Sequence, residues 1–240
     1  MDHPIPLFEK EAQVALNARA VLDANGSSAL ALPYGQLLAE YEALVERSRR
    51  VAEVALAVQM DLEAAMDQVA QLSQVDGLTG VMNRRAFEKL LARDWAQAQR
   101  ESSSLALLVV DVDGFRAFND VNGFQQGDEC LRCVARSIQR CLYREVDVAG
   151  RMDADTFAAL LPGTDVKGAL IVASRIATEV SAQEIPHLES PHGGVVTVSV
   201  GVAVAAPSRS EAPMLLVRRA QEALGRAKGQ GRNAVSLWSG

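Results

Sequence analysis

The chain lacks the features that mark membrane and secreted proteins. None of its apolar runs approaches the 18 residues that a membrane-spanning helix needs. Its N-terminus, MDHPIPLFEKEAQ, has no basic start followed by an apolar stretch, so no secretory leader is expected. Its three cysteines, Cys130, Cys133 and Cys141, cannot all pair within one chain. We therefore expect a protein of the reducing cytoplasm, with no membrane contact and no disulfide framework.

Basic charge and aromatic residues are also scarce. Lys and Arg number 24 against 30 Asp and Glu, a net charge of −6, which argues against a dedicated nucleic-acid binder. Aromatic residues make up 5% of the chain, and Trp95 and Trp238 are too isolated to form a base-stacking platform. Apolar residues make up 49% and charged residues 22%, as in ordinary globular proteins. At 240 residues the chain can bury the core of one or two domains.

Helical periodicity dominates the first third of the chain. Residues 1–24 predict a short helix that Asn25-Gly26 would end, and a small-residue loop completes the region 1–32. A second helix is predicted over 33–73, starting near Pro33. Its seam residues alternate four and three apart: Leu37, Tyr41, Leu44, Ser48, Val51, Ala55, Val58, Leu62, Ala65, Val69 and Leu72. This repeat predicts a coiled-coil stalk and a homodimer through residues 34–73. A helix packed on its own domain is the alternative.

Residues 74–240 alternate between predicted helices and strands, which indicates one α/β domain. Helices are predicted at 84–100, 125–143, 165–182 and 211–228. Strands are predicted at 105–112, 147–151, 156–161, 195–204 and near 234–238, with the second and third forming a hairpin. The pair Cys130 and Cys133 falls inside a predicted helix without a second ligand pair, and His187 and His192 are distant in sequence. Core thiols are therefore favoured over a zinc site.

Carboxylates follow the buried strand at 105–112. Asp111 and Asp113 flank Val112 at its carboxyl end, which is where α/β sheets hold ligands. Hard oxygen ligands at this place suit Mg²⁺ carried by a nucleotide triphosphate. A solvated turn after a strand would explain the same residues if the segment stood alone.

Four motifs together make the pattern specific. They are VDGLTGVMNRRAF at 75–87, DVDGFRAFNDVNGFQQGD at 111–128, TVSVGVAV at 197–204 and AKGQGRN at 227–233. In this order and spacing the chain closely resembles the GGDEF family of diguanylate cyclases, which condense two GTP molecules into cyclic di-GMP. The resemblance implies an α/β (α+β) nucleotidyl-cyclase-like fold over residues 74–240: a central mixed sheet flanked by helices, preceded by the stalk.

The resemblance also implies roles for individual residues. A metal would be held by Asp111, the backbone carbonyl of Val112, and Asp155. GTP contacts are implied for Gly114, Phe115, Asn119, Asp128, Lys228 and Arg232. In this set, Asn119 and Asp128 read guanine, because a carboxylate can accept from its N1–H and N2–H₂. The cations Lys228 and Arg232 would hold the triphosphate. One departure is Phe124, where the family usually has histidine.

The family signature, Gly-Gly-Asp/Glu-Glu-Phe, falls at Asp153-Ala154-Asp155-Thr156-Phe157. Ala154 would cost about 1 kcal/mol if the turn needed a left-handed residue there. Asp153 adds a negative charge near the expected phosphates. Thr156 replaces a glutamate and cannot accept a proton as a carboxylate does. These changes predict a degenerate domain without confident catalytic residues.

A second family feature survives upstream of the signature. Arg144 and Asp147 form an Arg-x-x-Asp pair at the offset of the family's inhibitory product site, and Arg175 aligns with an arginine that completes it. Arginine can grip phosphate and a guanine edge. An ordinary surface ion pair is the simpler explanation of the motif by itself.

The sequence therefore predicts a cytoplasmic signalling protein that binds cyclic di-GMP, docks a partner protein, or does both. An active cyclase is the first alternative, with Mg²⁺ required only if GTP binds. A scaffold that binds no nucleotide and docks another signalling protein is the second.

Overall fold

The computed structural model describes residues 9–24, 31–208 and 211–239; within these ranges the side chains of residues 31–33 and 64–72 are not described. Contacts between residues divide the chain into two compact units, 1–72 and 73–240. Among the described helices, none is both long and apolar enough to cross a membrane.

Two helices make up the first unit. Helix α1 spans Glu9–Ala24 and helix α2 spans Ala31–Leu72. The 42 residues of α2 extend for about 63 Å at 1.5 Å per residue. Ala15 and Leu38 are buried where α1 packs on the first turns of α2. Helix α2 begins at Ala31, before Pro33, so the loop predicted to end at residue 32 ends earlier. The predicted helix stop at Asn25-Gly26 and residues 1–8 lie outside the described residues.

Most apolar residues of the predicted seam are uncovered within a single chain. The seam residues exposed over more than half of their surface are Leu37, Leu44, Val51, Val58 and Leu62. A surface helix of a stable monomer normally turns such a stripe toward its own core. The stalk-like N-terminal helical region therefore has the form expected of a coiled-coil segment. Seam positions 65, 69 and 72 lie among the residues whose side chains are not described.

The second unit carries a mixed sheet among helices, as predicted. Its elements are β1 (Met82–Asn83), α3 (Arg84–Glu101), β2 (Leu105–Val112), α4 (Phe115–Asn122), α5 (Phe124–Cys141), β3 (Val148–Arg151), β4 (Thr156–Pro162), α6 (Val166–Ser181), β5 (Val198–Ala205), α7 (Pro213–Gly229) and β6 (Val235–Leu237). The strand order is β1-β3-β4-β2-β5-β6. Strand pairs β1–β3 and β5–β6 are parallel, and the other three pairs are antiparallel.

Strand β2 lies inside the sheet, and all eight of its residues are buried. Its side chains alternate between two cores because successive residues of a strand face opposite ways. The core that includes Leu108 and Val110 contains residues of α4, α5 and α6. The core that includes Leu107 and Val109 contains residues of α3 and α7. The carboxyl end of β2 thus emerges between two helix layers.

The structure differs from the sequence prediction in four places. Helix α4 was not predicted; it forms because Phe115 and Phe118 recur three apart and bury one face. The short strand β1 was also missed. Strand β5 begins at residue 198 rather than 195, because Val195 instead pairs with Pro186 in an isolated bridge. Helix α7 begins at Pro213, which fits the fixed φ of proline in a first helical turn.

Candidate functional site

Asp111 is the last but one residue of β2 and lies at the centre of the site. Its Oδ1 lies 2.6 Å from the Lys228 Nζ, and its Oδ2 accepts a hydrogen bond from the Thr156 hydroxyl at 3.2 Å. Its side chain is only 11% exposed. The structure therefore brings together three predicted residues that are far apart in sequence, and it gives the Asp111 carboxylate a cationic and a neutral partner.

Asp155 adjoins the same carboxylate. The Val112 N–H donates to the Asp155 carbonyl over 3.2 Å. Burial and then the negative charge of Asp111 raise the pKa of the Asp155 carboxyl, with Lys228 opposing the shift. Two mutually repelling carboxylates of this kind are a donor set that suits a hard cation. Within the described part of the chain, however, no group of three or more His, Cys, Asp or Glu residues comes together as a metal cluster.

Asp113 has a structural role that its position after the strand did not reveal. The Asp113 side chain is buried, and it accepts hydrogen bonds from the Thr197 hydroxyl at 2.8 Å, the Ser199 hydroxyl at 2.7 Å and the Asn233 N–H at 2.9 Å. A carboxylate with three such donors is held as an anchor between segments. Of the two aspartates predicted to face a cation, only Asp111 is therefore free of such an anchoring role.

The signature turn corrects one expectation. Among the described residues, the non-glycine residues with positive φ are Ser102, Glu184, Arg232 and Asn233, so Ala154 does not bear the predicted left-handed strain. The turn closes without glycine because the Ala154 N–H donates to the Asp153 Oδ1 at 2.9 Å. Two backbone bonds from residues 152 and 153 to the Thr156 carbonyl, at 2.8 and 3.2 Å, complete it.

Arg151 clamps this turn to the segment that follows residue 72. Its guanidinium donates to the carbonyls of Asp153 at 3.2 Å and Ala154 at 2.6 Å, and to the Asp76 Oδ1 at 3.2 Å. Burial alone would raise the pKa of the Asp76 carboxyl, but hydrogen bonds from Thr79 and Arg151 outweigh it and lower that pKa. The Arg151–Asp76 ion pair thus joins the Asp76–Thr79 turn to the signature hairpin.

Of the predicted guanine-reading residues, Asp128 lies in the first turns of α5 and Asn119 packs against its neighbour Gly127. The Asn119 Oδ1 is buried without a hydrogen-bond partner, and a Cβ on Gly127 would come within 2.0 Å of it. Asp128 follows Gly127 and is exposed. An acceptor left unpaired beside an exposed carboxylate suits a ligand edge rich in N–H donors. The arrangement fits a guanine base.

A backbone cradle lies beside this pocket. Gly114 has φ of 67° and precedes the first residue of α4, Phe115, so the first N–H groups of that helix have no partners within it. Helix N-termini favour anions. Arg232 lies in the connection after α7, and its guanidinium makes no ion pair with any residue that the structure describes.

The two charged residues of the Arg-x-x-Asp pair bind each other. The Arg144 Nε donates to both Asp147 carboxylate oxygens at 3.0 and 3.1 Å, and its terminal nitrogen also reaches the Pro162 carbonyl at 2.7 Å and the Thr164 hydroxyl at 2.9 Å. Arg144 remains about half exposed, while Asp147 is nearly buried. The ion pair expected under the simpler explanation is therefore present.

Arg175 contacts the connection that leads to this pair. Its guanidinium stacks 3.8 Å from the centre of the Tyr143 ring and donates to the Cys141 carbonyl, and its Nε is buried without a partner. The structure thus gathers Arg175, Arg144 and Asp147 around one connection, residues 141–147. The contacts of Arg175 are to the start of that connection rather than to Arg144 or Asp147.

The prediction of core thiols is confirmed for Cys130 but not fully for Cys133. Cys130 and Cys141 are buried, whereas Cys133 is half-buried and donates to the Gln183 Oε1 at 3.7 Å. Burial, and secondarily Cys133, raises the pKa of the Cys130 thiol to about 12. Such a thiol stays protonated near neutral pH and is a poor metal ligand.

The sequence did not predict the contacts of two histidines or the ion pair between Arg151 and Asp76. His187 packs against Phe118, and His192 contacts the Gly231 carbonyl at 2.7 Å. Their sequence distance from the motifs concealed both contacts. Asp76 lies within the quoted motif at 75–87 and Arg151 lies two residues before the signature, but their pairing depends on the fold.

A strand-end aspartate, an adjoining hairpin carboxylate and cations at and just after the end of the last long helix define the class of a nucleotidyl-cyclase-like domain. The family model for the diguanylate cyclase GGDEF domain matches residues 73–234. The chain belongs to the GGDEF family and carries a diguanylate-cyclase-like domain of cyclic di-GMP signalling.

A curated relative agrees with this assignment. The probable diguanylate cyclase DgcC of Escherichia coli strain K12 is 34% identical over 166 residues, which is 69% of this chain and 43% of DgcC. The chain thus spans less than half of that relative's length.

Two solved structures extend the likeness into the helical region. One contains the coiled coil and GGDEF domain of DgcB from Caulobacter crescentus in complex with c-di-GMP; it has a TM-score of 0.64, 32% identity, and coverage of 79% of this chain and 98% of the solved DgcB chain. The other is the diguanylate cyclase SiaD in complex with its activator SiaC from Pseudomonas aeruginosa. Its TM-score is 0.61 at 28% identity, and the match covers 98% of this chain and 92% of the solved chain.

Proposed function

We propose that this protein is a cytoplasmic cyclic di-GMP receptor whose GGDEF domain has lost cyclase activity. The observation that carries the proposal is the hydrogen bond from the Thr156 hydroxyl to the Asp111 Oδ2, at 3.2 Å. Thr156 stands where the family has glutamate, so a neutral donor takes the place of a carboxylate beside the expected metal ligand. A hydroxyl cannot take up the proton of an attacking hydroxyl group near neutral pH, and it adds no charge to hold a cation.

The proposed receptor site is formed by Arg144, Asp147 and Arg175. Arg144 is the exposed member, and Asp147 holds it in a two-point ion pair. A guanine edge would accept from the arginine and donate to the aspartate, so the ligand replaces part of their mutual contact. The likeness to DgcB, solved in complex with c-di-GMP, supports this choice of ligand.

The test is a calorimetric titration of cyclic di-GMP into nucleotide-free protein. We expect micromolar or tighter binding, and its loss in Arg144→Ala. The matched control is Arg140→Ala, because Arg140 is also exposed and ion-paired, to Glu179 at 3.7 Å, but lies outside the Arg-x-x-Asp pair. Absence of binding to the unaltered protein, or equal loss in both variants, would overturn the receptor proposal.

GTP binding without turnover forms a second part of the proposal. The buried, unpaired Asn119 Oδ1 and the neighbouring Asp128 support it on the base side, and Gly114, Phe115, Lys228 and Arg232 on the phosphate side. Mg²⁺ entering with the nucleotide would be held by Asp111, the Val112 carbonyl and Asp155. It would supply charge neutralisation for the phosphates. Since Lys228 contacts Asp111, this cation and Lys228 share one carboxylate.

Four outcomes separate the receptor from its alternatives. Thermal stabilisation by cyclic di-GMP supports the receptor, and stabilisation by GTP supports the retained nucleotide site. Stabilisation by neither favours a scaffold that docks another protein. Cyclic di-GMP formed from GTP and Mg²⁺, and abolished by Asp111→Ala, would establish an active cyclase instead.

The stalk is proposed to form a homodimer through residues 34–73 and to offer a docking surface for another signalling protein. Support for the dimer comes from the exposed seam of α2. Support for a partner comes from the likeness to SiaD, solved with its activator SiaC, which extends over almost the whole chain. An apolar depression of about 260 Å³ between α1 and α2 adds a feature that a partner side chain could enter. Ligand at Arg144 would bias the arrangement of the two domains in the dimer.

A further inference from the structure

The segment Gly231–Asn233 has an unusual backbone. Its three consecutive residues have φ of 109°, 68° and 45°, and two of them carry side chains. The other described non-glycine residues with positive φ, Ser102 and Glu184, occur singly. Left-handed residues with a Cβ are disfavoured, so such a run persists only where surrounding contacts hold it. The middle residue of this run is Arg232.

Backbone bonds to α7, from the Gly231 N–H to the Lys228 carbonyl and from the Arg232 N–H to the Ala227 carbonyl, both at 3.3 Å, begin the run, and side-chain contacts from two further directions hold it. On one side, the Asn233 N–H donates to the Asp113 Oδ2 at 2.9 Å. On the other, the ring of His192 lies 2.7 Å from the Gly231 carbonyl, measured from Nε2. A carbonyl oxygen can only accept, so Nε2 carries the proton in this contact. Arg232 is thus bracketed by one anchor before it and one after it.

His192 belongs to a closed loop, residues 186–195, which we name the bracing loop. Pro186 and Val195 form a bridge at its base, and the His187 N–H donates to the Gly194 carbonyl at 2.7 Å. The loop reverses through Gly193 and Gly194, with φ of 72° and 68°. It therefore carries its own hydrogen bonds and presents His192 from a defined frame.

The same loop reaches the opposite side of the nucleotide cradle. The ring of His187 is buried and packs edge-on against Phe118, with ring centres 5.5 Å apart. A Cβ placed on Gly114 would come within 3.0 Å of the His187 Nε2. One loop thus contacts Gly114 at one end and Gly231 at the other, the two backbone segments expected to flank the phosphates.

We propose that His192 is the positioning residue of Arg232, and that the bracing loop sets the spacing between the Gly114 turn and the Arg232 guanidinium. The hydrogen bond to Gly231 stabilises the left-handed run and thereby orients the Arg232 guanidinium, which forms no ion pair with any described residue. The inference rests on the proposed nucleotide function of Lys228 and Arg232. It predicts that His192 affects phosphate recognition and leaves base recognition unchanged.

The test compares GTP, GDP, GMP and guanosine, each with Mg²⁺, by calorimetry. His192→Ala is expected to weaken GTP binding about fivefold to tenfold, as loss of one well-placed hydrogen bond does. The loss should shrink as phosphates are removed and vanish for guanosine. His192→Gln, which retains an N–H donor, should recover most of the affinity. Leu188→Ala is the matched control, because Leu188 lies on the same loop and is 82% exposed.

A measurement without nucleotide separates the positioning role of His192 from the proposed nucleotide function. In amide NMR spectra, His192→Ala should shift the signals of Arg232 and Asn233 and leave those of Asn119 and Asp128 in place. Unchanged signals, unchanged GTP affinity, or an equal affinity loss for guanosine would overturn the positioning role. If the unaltered protein binds no GTP while the amide signals still shift as expected, the nucleotide proposal fails and the backbone role of His192 stands.

Discussion

Lys228 and Asp111 form the shortest ion pair of the nucleotide site, with Nζ 2.6 Å from Oδ1. They come from the carboxyl-terminal turn of α7 and the end of β2, on either side of the place where a cation is expected. The ammonium group neutralises one of two neighbouring carboxylates. A divalent cation entering this site must therefore share Asp111 with Lys228 or displace it.

Restoring the family residues at the signature should restore cyclase activity. In the variant Asp153→Gly, Ala154→Gly and Thr156→Glu, the glutamate returns a carboxylate beside Asp111 and the glycines clear space for substrate. We expect the unaltered protein to form no cyclic di-GMP from GTP and Mg²⁺, and the triple variant to form measurable product by chromatography. Adding Asp111→Asn should abolish it. Turnover by the unaltered protein would refute the proposed loss of activity.

The half-buried Asp155 predicts a particular dependence of stability on pH. Because its pKa is raised in the folded protein, its contribution to the free energy of unfolding is complete below the unfolded value of 3.8 and is lost as pH rises through the folded value. Asp155→Asn removes the titrating carboxyl group, so the variant does not lose this stability as pH rises. Denaturant titrations should find the variant more stable than the unaltered protein at pH 7, with the difference shrinking toward pH 3.5. Asp120→Asn, an exposed change, serves as the control.

The Arg151 clamp should contribute to stability in the opposite pH range. Arg151→Ala removes two bonds to turn carbonyls and the charge facing Asp76, and we expect a loss of about 1–3 kcal/mol in the free energy of unfolding at pH 7. Because the pKa of Asp76 is lowered in the folded protein, its stabilisation is present above pH 3.8 and disappears as pH falls through the folded value. The loss caused by the substitution should therefore shrink in acid.

A surface ion pair supplies the comparison for that clamp. Arg218 and Glu222 lie 3.7 Å apart with side chains 71% and 53% exposed. Arg218→Ala is expected to change stability by about 0.5 kcal/mol or less. Equal effects of the Arg151 and Arg218 substitutions would show that the clamp is no more than another surface pair.

Two valines of α2 offer a matched test of the stalk. Val51 is on the heptad seam and Val54 is off it, yet they are 64% and 63% exposed in the single chain. We expect Val51→Lys to shift the protein toward monomer in analytical ultracentrifugation, because a seam lysine would be buried against a partner helix. Val54→Lys should leave the dimer intact. A monomeric unaltered protein, or equal effects, would contradict a seam-specific dimer.

The order of secondary-structure elements was accessible from the sequence because periodicity is local. The eight residues of β2, the hairpin of β3 and β4, and the heptads of α2 each follow from neighbouring residues. Helix α4 was missed because it is only eight residues long and is bounded by Gly114 and Gly123, and glycine is a poor helix former. The Ala154 strain was wrongly predicted from the family's glycines, since the Asp153 side chain and Arg151 close this turn differently.

The sequence by itself determined the stalk periodicity, the alternation of helices and strands, and the family to which the motifs belong. Only the tertiary structure decided which side chains meet. The bond between Thr156 and Asp111 spans 45 residues, that between His192 and Gly231 spans 39, and the Asp113 carboxylate binds partners 84, 86 and 120 residues away. Such contacts follow from strand order and from which face of the sheet each helix covers, and a local pattern of residue types specifies neither.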